Sequence, residues 1–207
     1  MSRSAHERLA PLPRDRWGDD ARAALAGAFG AEAAARLAAP DADAPPVANV
    51  LGVLMHHPAL AGPFLAYNAV LLREPALGHR LRELAVLRVA WRTRSDYEWA
   101  QHVRIARELG VTDDEIDAIA AGDAARAWPP PESDVLAATD QLLDRHRVDD
   151  ATWARLAAHL DPPQLVELVF VVGTYSGLAM AFNSFGLQLD PDLEPVVATT
   201  RLPSSQE

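Results

Sequence analysis

Four side chains in this sequence have the types and spacing for proton chemistry: Glu83, Ser95, Glu98 and His102. Ser95, Glu98 and His102 are three and four residues apart, so a helix of about 3.6 residues per turn aligns them on one face. That face also carries Trp99, Ile105, Ala106 and Leu109, whereas Asp96, Tyr97, Gln101, Arg104, Arg107 and Glu108 lie opposite. The polar trio therefore occupies the side that should be buried. A buried carboxylate or imidazole costs several kcal/mol unless it is paired, hydrogen-bonded or neutralised, in the range of roughly 2–7 kcal/mol for a polar group. Histidine is the side-chain type whose reference pKa lies nearest neutrality, so His102 is the natural proton donor or acceptor. Glu98 reaches it from one helical turn away, and Glu83 is supplied by the preceding helix of a hairpin. Two other uses of the same residues stay open. One is a hydrogen-bond network that fixes helix packing. The other is a divalent-metal site in which Glu83, Glu98 and His102 supply two carboxylates and an imidazole, a set suited to Mn, Fe or Zn. No second Glu-x-x-His motif of the di-iron kind accompanies them.

The elements that must position these groups read as helices throughout. Arg16 to Leu37 is Ala-rich and predicts one or two surface helices. Pro40 to Pro46 is a loop, Val47 to His56 a short apolar helix ended by Pro58, and Ala59 to Arg73 the next helix, with Gly62 and Pro63 delaying its start. Gly78 to Trp91 has a wide apolar face. Thr93, Arg94 and Ser95 break the chain, with Ser95 as the expected N-cap of a helix that runs to Leu109 and stops at Gly110. Thr112 and Glu115 form a capping box. After the connector Trp128 to Pro131, helices follow over Ser133 to His146, from Asp150 to Leu160, and beyond Asp161-Pro162-Pro163. Leu168 to Leu189 carries no charge and is long enough to span a bilayer, but its polar residues and glycines favour a core helix buried on most sides. Residues 1–44 read as a helical extension, 45–190 as the main domain and 191–207 as a tail. Glu83-Leu84 and Glu167-Leu168 open similar apolar runs, which suggests one compact all-α domain of two related halves.

Composition narrows the function. The net charge of −10 over 207 residues argues against a nucleic-acid partner. There is no cysteine, which excludes disulfides, thiolate metal sites and thiol redox cycles. The first residues lack the apolar core of a signal peptide, so a cytoplasmic location without membrane attachment is expected. Among secondary candidates, Trp99, Tyr175 and Asn183 join Ser95 as substrate-binding residues, and Tyr97 points away towards an interface. His56-His57 is expected to cap a helix C-terminus. Arg88, Arg92 and Arg94 are expected as solvated surface cations, and His146 and His159 as surface residues.

The segments Arg82-Glu83-Leu84-Ala85-Val86-Leu87-Arg88-Val89-Ala90-Trp91 and Tyr97-Glu98-Trp99-Ala100-Gln101-His102 resemble the carboxymuconolactone decarboxylase family, which includes the alkyl hydroperoxidase D type of antioxidant protein. The resemblance extends over roughly residues 45 to 190. It implies an all-helical alkyl hydroperoxidase D-like fold and a homo-oligomer, often a trimer or hexamer. In the peroxidase branch a glutamate, a Cys-x-x-Cys pair and a histidine act together. Matched by position, these are Glu83 and His102, with the two cysteines falling on Ser95 and Glu98. A dithiol peroxidase cycle needs a thiolate and a resolving thiol, so that activity is not expected here. The expectation is a cofactor-free decarboxylase, other lyase or isomerase acting on a small organic acid or lactone through a Glu-flanked His102. A non-catalytic ligand-binding or scaffold oligomer is the alternative from another class, and a metal-dependent enzyme a further one.

Overall fold

The computed structural model describes residues 6–39, 47–122 and 128–193. These residues form helices and no strand. Packing divides the described residues into two compact units, one built from those within 75–184 and from 191–193, the other from those within 6–74 together with 185–190. The expected boundary at 44/45 and the Pro40 to Pro46 loop lie outside the described residues, as does the tail beyond residue 193.

The unit that precedes residue 75 contains α1 (Asp19–Phe29), α2 (Ala31–Leu37), α3 (Asn49–Leu54) and α4 (Pro58–Arg73). Its core gathers Trp17, Ala21, Leu25, Ala28, Ala34, Met55, Ala61 and Leu65. The Ala-rich helices lie at the surface as expected, each burying one face, through Ala21, Ala24, Leu25 and Ala28 on α1 and Ala34 on α2. Alanines let α1 approach α4 closely, and a Cβ added at Gly62 would lie 3.3 Å from the Ala24 Cα. Pro58 begins α4 rather than ending its predecessor, as proline suits a first helical position whose N–H has no partner to lose. His57 is accordingly an N-cap, its Nδ1 accepting from the Leu60 N–H at 3.3 Å, and His56 Nε2 contacts the Ala10 carbonyl at 2.9 Å. Neither histidine caps a helix C-terminus. Asn49 ties α3 to the later chain of the same unit, its backbone N–H donating to Asp190 Oδ1 at 2.7 Å.

The second unit carries the polar cluster. It contains α5 (His79–Thr93), α6 (Asp96–Glu108), α7 (Asp113–Ala121), α8 (Glu132–Arg145), α9 (Asp150–Ala157) and most of α10 (Pro162–Phe185). α5 is the central helix and packs against α6, α7 and α8, with every residue from Arg82 to Ala90 buried. Leu84, Leu87, Trp99, Val103, Ile116, Ile119, Trp128 and Leu136 fill the space between these helices. Burial of the basic residues is the main departure from the sequence pattern. Arg88 is buried, and it donates to both carboxylate oxygens of Asp140 at 2.8 and 2.9 Å and to the Ile119 and Ala120 carbonyls. Arg92 bridges Asp140 and Asp144. These two arginines are therefore helix-to-helix ties, because a guanidinium has enough donors to satisfy several elements at once. Arg92, although ion-paired, and Arg94 are both exposed, and Arg94 adopts the left-handed conformation (φ 54°) that ends α5.

α10 also differs from expectation. By length and composition it could cross a membrane, but only about a third of its most apolar window is buried. Leu165, Leu168, Val172, Tyr175, Ala179 and Phe182 face inward, whereas Val166, Phe170 and Met180 are exposed. The helix is apolar on all sides, and the described chain covers only one of them. His146 and His159 are exposed, as expected.

The Thr112–Glu115 capping box forms as the sequence implies, with Glu115 N–H to Thr112 Oγ1 at 3.3 Å and Thr112 N–H to Glu115 Oε2 at 3.0 Å. Asp149 caps α9, accepting from the Thr152 N–H at 2.8 Å. Thr112→Ala should lower the unfolding free energy by about 1 kcal/mol, the usual cost of a lost N-cap, measured as a reduced urea midpoint at unchanged slope.

Candidate functional site

The site is assembled where α5 and α6 run side by side. The Thr93-Arg94-Ser95 turn reverses the chain, and the Ser95 N–H closes α5 by donating to the Ala90 carbonyl at 3.0 Å. Glu83 on α5 then lies beside His102 on α6, with His102 Nδ1 2.7 Å from Glu83 Oε2. The other Glu83 oxygen accepts from Arg82 Nε at 2.8 Å and from Arg82 Nη2. Arg82 Nη1 also contacts His79 Nδ1 at 3.2 Å. All of Arg82, Glu83 and His102 are buried.

Burial pushes the Glu83 carboxyl up, but the opposing charges and hydrogen bonds of His102 and Arg82 outweigh it and hold the group below its ordinary value. Glu83 is therefore ionised near neutral pH and can only accept. Its contact fixes the imidazole with the proton on Nδ1, which leaves Nε2 of the neutral ring as the free lone pair. Nε2 has no hydrogen-bond partner among the described residues. The Tyr175 ring stands edge-on to this imidazole, with centroids 4.9 Å apart at 88°. Burial raises the Tyr175 phenol pKa, the Glu83 charge raises it further, and Arg82 opposes them. The tyrosine thus stays protonated beside the imidazole.

Glu98 behaves differently from the expectation that it pairs with His102. It is 2% exposed, and neither carboxyl oxygen has a hydrogen-bond partner; the Ser95 hydroxyl, fully buried, has none either. Burial drives the Glu98 carboxyl well above its ordinary range, and the nearby Ser95 side chain, short of a well-formed bond, opposes this only weakly. Two carboxyl groups on adjacent helices are therefore held in opposite protonation states, Glu83 charged and Glu98 neutral. Environment separates them: Glu83 has two cationic or proton-bearing partners, and Glu98 has none.

The remaining sequence candidates divide clearly. Tyr175 joins the cluster. Trp99 does not line it but packs in the hydrophobic core, its ring 5.5 Å from that of Trp91. Asn183 is exposed and donates to the Thr93 carbonyl at 2.9 Å, helping to end α5. Tyr97 is buried rather than turned towards an interface, with its ring edge-on to Phe182 at 5.2 Å. Glu83, Glu98 and His102 do not converge as metal ligands, and among the described residues no three His, Asp or Glu side chains do. Arg82 is the participant that sequence reasoning missed. Its signal was a cation inside the apolar stretch next to Glu83, where a lone charge could be buried only with a partner.

Residues 58–141 match the model of the Carboxymuconolactone decarboxylase family. No curated protein matches the chain. Among solved structures, an alkylhydroperoxidase AhpD core, a peroxidase-related protein from Ralstonia eutropha JMP134, is 19% identical with a TM-score of 0.70, covering 89% of this chain and 94% of its own. A peroxidase-related protein from Silicibacter sp. TM1040 is 15% identical with a TM-score of 0.70, covering 93% and 97%. The debrominase Bmp8 is 13% identical with a TM-score of 0.67, covering 92% and 96%. At these identities the structures establish the fold.

The neutral state of Glu98 has a measurable consequence for stability. A carboxyl whose folded pKa is raised stabilises the fold fully below its unfolded pKa, and that contribution is lost as pH rises towards the folded value. Glu98→Gln removes the titration. The variant should gain stability over the unmodified protein as pH is raised from about 5 to about 8, by up to about 1.4 kcal/mol per pH unit. Denaturant midpoints of both proteins across that range would check this; a difference independent of pH would show Glu98 to be ionised already. The matched segment, with Glu83 and His102 in contact and serine and glutamate where a dithiol would stand, is similar to the carboxymuconolactone decarboxylase family and has no cysteine.

Proposed function

We propose that this protein is a cofactor-free acid/base enzyme, a decarboxylase or other lyase or isomerase, acting on a small organic acid or lactone. The observation that carries the reading is the buried Glu83–His102 contact of 2.7 Å, which orients the ring and leaves Nε2 unpartnered. A dyad of this form aims Nε2 away from Glu83, where it can take or give a proton, and keeps a carboxylate beside Nδ1–H. Decarboxylation beside an unsaturated carbonyl leaves carbanion character on carbon, which must be protonated; isomerisation removes and returns a proton at carbon. Both reactions need one proton-transfer group and a means of holding charge on oxygen. The absence of any thiol turns the fold away from dithiol peroxide reduction. The debrominase Bmp8 supports the view that this fold also hosts other chemistry.

A second reading has its own observation. Arg82, Glu83 and His102 form a connected buried network, which a scaffold or ligand-binding oligomer would retain for packing alone. His102→Ala separates the two. With a panel of unsaturated lactone acids and β-keto acids, assayed by carbon dioxide release and by solvent-deuterium incorporation, the enzyme reading expects a loss of turnover of about 10²–10⁴-fold in a folded variant. No turnover by the unmodified protein, or none lost in the variant, would leave the network reading.

The chain is also proposed to assemble with copies of itself, as a trimer or hexamer. The uncovered apolar side of α10, with Val166, Phe170 and Met180, supports this, because contiguous exposed apolar surface marks interaction sites. Phe170→Glu should shift the sedimenting mass from oligomer to monomer, and an unchanged mass would remove that side of α10 from the interface.

A further inference from the structure

Three helices in this protein begin on the sequence pattern of a reciprocal cap, in which a Ser, Thr or Asp is followed three residues later by Glu or Gln. At α7 the box closes between Thr112 and Glu115. At α10 it closes between Asp161 and Gln164, with Gln164 N–H to Asp161 Oδ1 at 3.0 Å and Asp161 N–H to Gln164 Oε1 at 2.8 Å. At α6 the pair is Ser95 and Glu98, and the box stays open. The Ser95 N–H is already committed to the Ala90 carbonyl, and Ser95 Oγ makes no cap bond. Exposed caps that fail to form cost little. This one is different, because both members are buried and three side-chain oxygens lack partners. Buried polar atoms are left unsatisfied rarely, and a ligand or ordered water is the usual reason.

We propose that the open cap at the start of α6 is an oxygen-binding subsite, in which the Ser95 hydroxyl and the Glu98 carboxyl receive the carbonyl oxygen of a small enolisable substrate. The proposal rests on the acid/base reading of His102. Its chemistry follows from what each group can do. Ser95 donates an O–H, and Glu98, kept neutral by burial, donates another. The N-terminal end of a helix favours negative charge at the same place. All of these suit an acceptor oxygen that gains charge, and none suits a cation. Tyr175, kept protonated by burial and edge-on to the His102 ring, adds a further uncharged group beside the imidazole.

The spacing matches a small carbonyl compound. His102 lies one helical turn beyond Glu98, about 6 Å along the axis. In this proposal the carbonyl oxygen sits at Ser95 and Glu98, and the adjacent carbon is the one that His102 Nε2 serves. When Nε2 takes a proton from that carbon, the C–H electron pair forms the carbon–carbon double bond, and the carbonyl π pair moves onto oxygen. The enolate is held by two neutral donors, and the imidazolium is held by Glu83. Return of the same proton to another carbon gives an isomer. In a decarboxylation the carbon–carboxylate bond supplies the electron pair, and His102, entering as imidazolium, supplies the proton. The subsite therefore selects carbonyl compounds whose oxygen becomes an enolate, rather than substrates recognised through a cation.

Acetylacetone is a suitable probe, since it is small and its enolate absorbs at longer wavelength than its enol. The full-length protein should bind it as the enolate at a pH where free acetylacetone is mainly un-ionised. Glu98→Leu should weaken binding by about tenfold or more and lose the enolate band, the scale expected when a donor to a charged oxygen is removed. Glu98→Gln, which retains an N–H donor, should keep most of the affinity. Ser95→Ala supplies a second arm and should weaken binding in the same sense, with circular dichroism confirming that each variant is folded. The proposal is overturned if the unmodified protein does not bind acetylacetone, or if folded Glu98→Leu and Ser95→Ala both bind the enolate as tightly as it does. Binding is read without turnover, so its failure is separable from that of the acid/base reading. If His102→Ala abolishes turnover while the Glu98 and Ser95 variants bind normally, the enzyme reading stands and the subsite falls.

Discussion

The contact between Glu83 and His102 is the interaction on which the rest of this structure depends. It joins two helices at a position where both side chains are removed from water. Neither group could be there alone. An unpaired buried carboxylate is driven to its neutral form, and breaking a buried ion pair by removing one partner typically costs about 3–5 kcal/mol. Arg82 makes the arrangement tolerable by placing a guanidinium on the other Glu83 oxygen. The requirement then propagates. α5 must be buried on nearly all sides to hold the pair dry, which makes it the central helix of its unit. The remaining arginine of its buried stretch, Arg88, must in turn be satisfied by Asp140 and by the carbonyls that end α7.

The same constraint distinguishes the two carboxyl groups of the site. Glu83 is surrounded by cationic and proton-bearing partners and is charged. Glu98 is about as deeply buried and has nothing to compensate a charge, so it is neutral. One residue type therefore plays two roles within one helix pair: an acceptor that orients an imidazole and a donor with an unused proton. Pairs of titratable groups whose environments force them apart are a recurrent arrangement where protons are moved. The open cap at α6 adds a local rule that the sequence obeys in form and the structure declines to use. The tight turn closing α5 takes the Ser95 backbone donor that a closed box would require.

Much of the fold was legible because helix boundaries are local. The Thr112–Glu115 box, the Asp161–Gln164 start and the break around Arg94 are set by residues within a few positions of one another, and they appear where the pattern puts them. The all-helical class followed from periodicity, and His102, Glu83 and Glu98 were marked by lying on an apolar face. Less was legible wherever a partner is distant in sequence. Arg88 and Arg92 read as solvated cations, and their acidic partners lie on α8, about fifty positions away. Trp99 and Asn183 read as pocket residues but serve the core and the end of α5. α10 read as buried on most sides, since an apolar helix gives no sign of how many neighbours its own chain provides.

The sequence by itself determined the helical class, the family likeness of the segment 58–141, the lack of any thiol, and which side chains must solve a burial problem. Those are properties of residue type and local spacing. Only the tertiary structure decided how each problem was solved: Glu83 by pairing, Glu98 by staying neutral, and Ser95 by losing its backbone donor to α5. The physical reason is that a protonation state is fixed by solvation and by opposing charges, and these depend on groups that folding brings together from different helices.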